Sequence, residues 1–220
     1  MICIISGAIV TNYISDVYAH SQVLDNRHCV IIDAGHGGID GGAISCTGIA
    51  ESQINLEIAL RLNDLCQLLG MNTKMIRAED VSIYKTGNTI AARKVSDLKE
   101  RVRIVNSTKN AILLSIHQNY FPDSRYCGAQ VFYSGEDYAL ASLIQDYLVK
   151  TVNISSKRKV KKTNAIYIMN HINCPAALIE CGFLSNPKEE YRLRMDKYQK
   201  KLCCVIGAAT SYFIQTLSTA

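Results

Sequence analysis

At 220 residues, with 48% hydrophobic and 20% charged residues, the chain has the makeup of one globular domain with a full-sized core, or at most two small ones. That composition excludes an intrinsically disordered chain and an integral membrane bundle. A net charge of +5 and a pI near 8.7 suit an anionic surface or polymer, but with no aromatic interleaving they do not support nucleic-acid binding.

The chain opens on an apolar run within Ile2–Ile14, then Val17-Tyr18-Ala19, a small-x-Ala pattern that a signal peptidase could cut. The run is shorter than the ~20 residues of a membrane-spanning helix, and no Lys or Arg precedes Arg27. Residues 1–24 are read as a signal peptide or an N-terminal membrane anchor, so an exported protein is expected, with possible membrane association through this end. A first buried strand is the alternative. Of nine cysteines, Cys29, Cys66, Cys203 and Cys204 sit in apolar runs, the count is odd and there is no C-x-x-C pair. Most are expected to be free thiols, and a structural zinc knuckle is not expected.

From His28 the pattern of a folded domain begins. Cys29-Val30-Ile31-Ile32 reads as a buried strand that stops at Asp33 and runs into Gly35-His36-Gly37-Gly38-Ile39-Asp40-Gly41-Gly42. Five glycines let the chain turn sharply around His36 and come close to another group. Neither G-x-x-x-x-G-K-[ST] nor G-x-G-x-x-G occurs, so this is not a phosphate loop. Ile54, Ile58, Leu62, Leu65 and Leu69 recur at helical spacing, which predicts a helix over 53–69 with Glu51 in its first turn and Gly70 as its stop. A short strand is expected over 72–77 and a loop over 79–94. Ser96 is expected to cap a helix over 97–107, with Lys94, Lys99, Arg101 and Arg103 on a solvated face.

Residues 111–116 form an apolar run of strand length leading to His117, and 129–134 another strand, followed by a helix over 137–151. Lys157-Arg158-Lys159 with Lys161-Lys162 reads as a solvated loop, or as a contact with an anionic polymer or membrane surface. A strand is expected over 166–169, a fully apolar strand over 176–180 that ends on Glu180, and a final helix from Asp196 to about Gln215. Strands that alternate with helices and are apolar throughout predict a single α/β domain, its sheet mostly parallel and covered by helices on both faces.

Three strands thus lead to His36, His117 and Glu180, and ligands bind at the carboxyl ends of strands in open α/β sheets. Singly, each has a plainer explanation. A lone histidine is usually satisfied or exposed, and Glu51 is favoured by the helix dipole. Glu180 is the hardest to explain away, because an unpaired carboxylate between Ala-Ala-Leu-Ile and Cys-Gly-Phe is costly to bury. Two histidines and a glutamate make a catalytic zinc set with one open position, and a further carboxylate can carry the proton of an attacking water. The absence of H-E-x-x-H excludes helix-borne metalloprotease ligation.

The blocks IDAGHGGIDGGA, Glu51, LLSIHQN and PAALIECGFLSNP, in this order and spacing, resemble the zinc-dependent N-acetylmuramoyl-L-alanine amidases of the amidase-3 type. The resemblance covers most of residues 28–215 and implies a catalytic domain over residues 28–217 on a six-stranded α/β sheet. By position it implies His36, Glu51 and His117 as zinc ligands and Glu180 as the catalytic glutamate. The implied reaction is hydrolysis of the amide between the lactyl group of N-acetylmuramic acid and L-alanine in peptidoglycan. RKVSDLKERVRIVN and the lysine-rich segment before NAIYIMN are most similar to the sporulation amidases that help form muramic-δ-lactam in spore cortex, some of which need a lipoprotein partner. Asn119 is expected either to orient substrate or to cap its loop, and Asp33 to hydrogen-bond a ligand or to end its strand. Cys46, Cys174 and Cys181 depart from the family pattern near the site; Cys46 is expected nearest the metal, as a bystander, and Cys181 on the face away from Glu180. The competing readings are a zinc peptidase of other specificity and a peptidoglycan-binding module without chemistry.

Overall fold

The computed structural model describes residues 27–135, 138–154 and 156–218. The export segment read over residues 1–24 lies outside them, and no described helix is long and apolar enough to cross a membrane. The described chain forms one α/β unit. Its strands are β1 (Cys29–Ala34), β2 (Asn72–Met75), β3 (Ala111–Asn119), β4 (Gln130–Tyr133), β5 (Lys161–Lys162) and β6 (Ala176–Phe183). Its helices are α1 (Glu51–Leu68), α2 (Ile90–Asn106), α3 (Ala139–Thr151), α4 (Tyr167–His171), α5 (Pro187–Leu193) and α6 (Asp196–Ser218). The sheet order is β2-β1-β3-β6-β4-β5, parallel throughout except where β4 runs antiparallel to β6.

All six residues of β1 are buried because the sheet is covered on both faces. On one face Val30, Ile32, Ile112, Leu114, Ala177 and Ile179 pack against α1, α3 and α6. On the other, Ile31, Leu113 and Leu178 pack against α2 and α4 through Val105, Ile168 and Met169. Each fully buried Leu or Ile contributes roughly 1.5–3 kcal/mol relative to exposure.

The second face changes character along the strands. With a side-chain period of two, Ile31 is followed by Asp33, Leu113 by Ser115 and His117, and Leu178 by Glu180. Registers Asp33↔Ser115 and His117↔Glu180 align these residues across β1, β3 and β6. One face is thus oily at its lower end and polar at its upper end. That gradient positions the site.

Several expectations need correction. β3 continues two residues past His117 and β6 three past Glu180, so both side chains stand within strands rather than at their ends. The helix expected from Asp97 begins at Ile90, because Thr89 accepts from Ala92 N (3.1 Å) and caps it. Ser96 is instead inside that helix, its hydroxyl accepting from Lys85 N and Thr86 N. The strand expected over 166–169 is the helix α4; four apolar residues carry no period of their own, and Ile168 and Met169 bury from one turn. The sixth strand is β5, inside the basic run read as a solvated loop.

Candidate metal centre

The centre is built around the loop that follows β1. His36 adopts φ +62°, a left-handed conformation uncommon for a residue with a Cβ. Two buried arginines fix the carbonyls there. Arg77 donates from Nε to Ala34 O (2.8 Å) and from Nη2 to Gly35 O (3.1 Å) and Ser52 O (2.9 Å). Arg101, 2% exposed, donates to Ala34 O (3.0 Å) and His36 O (2.7 Å). Asp33 and Asp97 pair with Arg101, and Ser115 donates to Asp33 (2.8 Å). Burial alone would raise the Asp33 pKa, but the Arg101 guanidinium holds it below the usual carboxylate range. Asp33 therefore holds no ligand ring; it holds Arg101, which holds the backbone of His36. The expectation of a solvated Arg101 fails for the same reason.

Glycines give the loop its closeness. A Cβ on Gly35 would lie 2.2 Å from the His117 ring, and one on Gly42 would lie 2.6 Å from Glu51 Oε2. The sharp turn read from the glycines is what the structure shows.

His36, Glu51 and His117 come together, one ligand atom from each lying within 4.8 Å of the others. His36 Nε2 is 3.3 Å from Glu51 Oε2 and His117 Nδ1 is 3.0 Å from Glu51 Oε1, with the two rings edge-on at 5.1 Å. Glu51 is the first residue of α1 and 4% exposed. Its carboxylate also accepts from Ala43 N (3.0 Å), Asn55 Nδ2 (3.1 Å) and Gln118 N (3.1 Å). Burial opposes its charge, yet the His117 and His36 contacts pull its pKa far below the ordinary value. Burial likewise works against a charged His36, but Glu51 and Asp40 outweigh it and raise His36 to about 9. Asp40 accepts from His36 Nδ1 (2.9 Å) and pairs with Lys94 (2.7 Å), so it orients the ring.

Glu180 faces the same cavity, about 270 Å³, which His36, His117, Asp40, Lys94 and Leu178 also line. Its Oε2 is buried with no hydrogen-bond partner among the described residues. Burial pushes its pKa up to about 7, with His117 pulling the other way. The donor set fits a divalent ion: two imidazole nitrogens and a carboxylate converge at about the spacing of ligands on one ion. The cavity leaves a side open.

Of the other residues considered, Asn119 joins β3 to the chain after β6 through its carbonyl, which accepts from Leu184 N (2.8 Å). Cys46 is exposed and is not part of the donor cluster, and Cys181 packs in the opposite core, as alternation requires. Eight cysteines among the described residues are free thiols. Sequence reasoning missed Asp40, Asn55, Arg77 and Gln118. Asn55 carried a signal, being a polar residue one turn after Glu51 on the buried face of α1. Arg101 did too, since it lies one turn before Val105 on the buried stripe of α2.

The family model described as N-acetylmuramoyl-L-alanine amidase (Amidase_3) matches residues 30–211. The germination-specific N-acetylmuramoyl-L-alanine amidase of Bacillus subtilis is 38% identical over 181 residues, covering 80% of this chain and 76% of that protein. The CwlD amidase of Clostridioides difficile, solved in complex with the GerS lipoprotein, superposes with a TM-score of 0.82 at 37% identity, over 86% of this chain and 99% of that one. A second amidase structure, from Clostridium difficile 630, gives a TM-score of 0.73 at 30% identity, over 87% and 98% of the two chains.

Proposed function

This chain belongs to the N-acetylmuramoyl-L-alanine amidase family and is a peptidoglycan amidase, and on that premise we propose that it works with zinc held by His36, Glu51 and His117. The bond cut is the amide between the lactyl group of N-acetylmuramic acid and L-alanine of the stem peptide. The observation that carries this reading is the convergence of those three donors, with His36 and His117 lining one cavity with Glu180, whose buried Oε2 has no partner among the described residues.

A zinc ion bound there would polarise the amide carbonyl and acidify a water. The residues do the rest. Asp40 and the carbonyls clamped by Arg77 and Arg101 keep His36 in place. Glu180 takes the proton of the attacking water and delivers it to the leaving alanine nitrogen, a task suited to a carboxyl raised to about 7. Lactate carboxyl and free alanine amine are the products.

The role proposed is in spore cortex, toward muramic-δ-lactam, with export through residues 1–24 and a lipoprotein partner. The support is the similarity to the germination-specific relative and to the amidase solved with GerS. Digestion of purified peptidoglycan, with zinc analysis of the chain alone and co-expressed with a lipoprotein, tests it. Stem peptides with new L-alanine amino termini, glycan freed of stems and near-stoichiometric zinc are expected. Glycan still carrying its stems would favour a peptidase of other specificity, and no zinc under either condition would favour a binding module.

A further inference from the structure

Away from the metal centre, Lys157, Arg158, Lys159, Lys161, Lys188 and Arg192 line a groove of about 970 Å³. None of the six takes part in an ion pair among the described residues. The one acid in the described lining is Glu189, whose charge acts on Arg158 and Arg192 and so offsets one of the six. Its carboxylate accepts from Gly128 N (2.9 Å) and Phe183 N (2.9 Å).

A solvated basic loop would leave its side chains loosely arranged in water. Here the backbone is fixed. Lys161 and Lys162 pair with Phe132 and Tyr133 as β5, and Gln130 donates to Lys159 O. The Arg158 guanidinium donates to Cys127 O (2.8 Å) and Gln130 Oε1 (3.1 Å) and lies 4.8 Å from the centre of the Phe183 ring. Six like charges against one carboxylate on an ordered scaffold leave a net repulsion, and an anion relieves it. Their spread along a groove of this size suits repeated charges on a polymer better than one small ion.

The groove also opens at the catalytic end of the sheet. β6 runs toward that end and the antiparallel β4 starts from it. Gln130, first residue of β4, lies opposite Glu180 and lines the groove. We propose that this groove is a second attachment site for the polymer substrate, binding carboxylates of stem peptides neighbouring the one being cut. The identity of the polymer rests on the amidase reading; the anionic groove does not. Two contacts on one strand raise the local substrate concentration at the metal centre.

The test is co-sedimentation of the full chain, as Glu180→Gln to prevent turnover, with peptidoglycan sacculi stripped of phosphate polymers. Parallel arms use sacculi retaining those polymers and sacculi with carboxyls amidated. Binding to stripped sacculi is expected, weakening with salt and falling roughly tenfold on amidation or in the Lys157→Glu/Lys159→Glu/Lys161→Glu variant. In the active enzyme, with Glu180 unchanged, the ratio of kcat/KM on sacculi to that on a soluble single-stem fragment should fall roughly fivefold with the same three changes. Binding only when phosphate polymers are present, or a triple variant that sediments like its parent, would overturn the proposal. Failure of the amidase reading would show instead as no cleavage of the soluble fragment, whatever the sedimentation gives.

Discussion

The two sides of the candidate metal centre are built in opposite ways. On the β1 side, Glu51 carries five polar contacts, and the Asp33, Arg77 and Arg101 network is paired throughout. On the β6 side, Glu180 is half-buried, yet its Oε2 is shut away from solvent with no partner among the described residues. The environments drive two carboxylates apart, one far below its ordinary pKa and the other up to about 7. Holding an ion asks for a fixed, permanently charged oxygen; carrying a proton asks for one that can gain and lose it near neutral pH. The difference supports the proposed division of roles, Glu51 as ligand and Glu180 as proton carrier.

The largest effect expected from this contrast is on turnover. Glu180→Gln should lower kcat by about 10²–10⁴-fold while zinc content by elemental analysis stays at the wild-type level. Glu51→Gln should lose zinc as well as activity, because two histidines hold the ion poorly. If Glu180→Gln loses zinc, or turns over near the wild-type rate, the division between the two sides is wrong.

Breaking the paired side itself should cost stability. Arg101→Met leaves Asp33 buried without its counter-charge and removes donors from Ala34 O and His36 O. A loss of about 3–5 kcal/mol is expected on chemical denaturation. The Asp33→Asn/Arg101→Met double variant should recover part of it. The depressed Asp33 pKa sets the sign with pH: its stabilisation is present above the unfolded value of 3.8 and is lost as pH falls toward the lower folded value. Equal stability of Arg101→Met and wild type at pH 7 would show that the network is ornamental to folding.

How far the centre was legible in the sequence follows the same division. His36, His117 and Glu180 were readable because a polar residue against an apolar strand or a glycine loop stands out, whereas Glu51, at a helix start where the dipole alone explains an acid, was picked out by the resemblance. The supporting groups were not. Arg101 lies among Lys94, Lys99 and Arg103, where charge suggests water, and only its spacing from Val105 says that it is buried. Arg77 follows a short strand and reaches carbonyls 34, 35 and 52 through long-range packing that no local pattern encodes. For the fold, long apolar strands were clear, while α4 and β5 turned on runs too short to carry a period.

The smallest effect tests the β6 side alone. For Glu180 the folded pKa lies above the unfolded value of 4.5, at about 7, so the folded state binds the proton more tightly. Its contribution to stability is full below pH 4.5 and is lost as pH rises through about 7. In protein stripped of metal by chelation, Glu180→Gln should therefore melt above wild type at pH 8, by about 2–3 kcal/mol, and the gap should close near pH 5. Glu51→Gln should melt below wild type at both values, since it loses its contacts to His36 and His117. Thermal unfolding of the three stripped proteins at the two pH values decides it. A Glu180→Gln variant that melts no higher than wild type at pH 8 would mean that the ionised carboxylate finds a partner in solution, and that the β6 side is as fully paired as the β1 side.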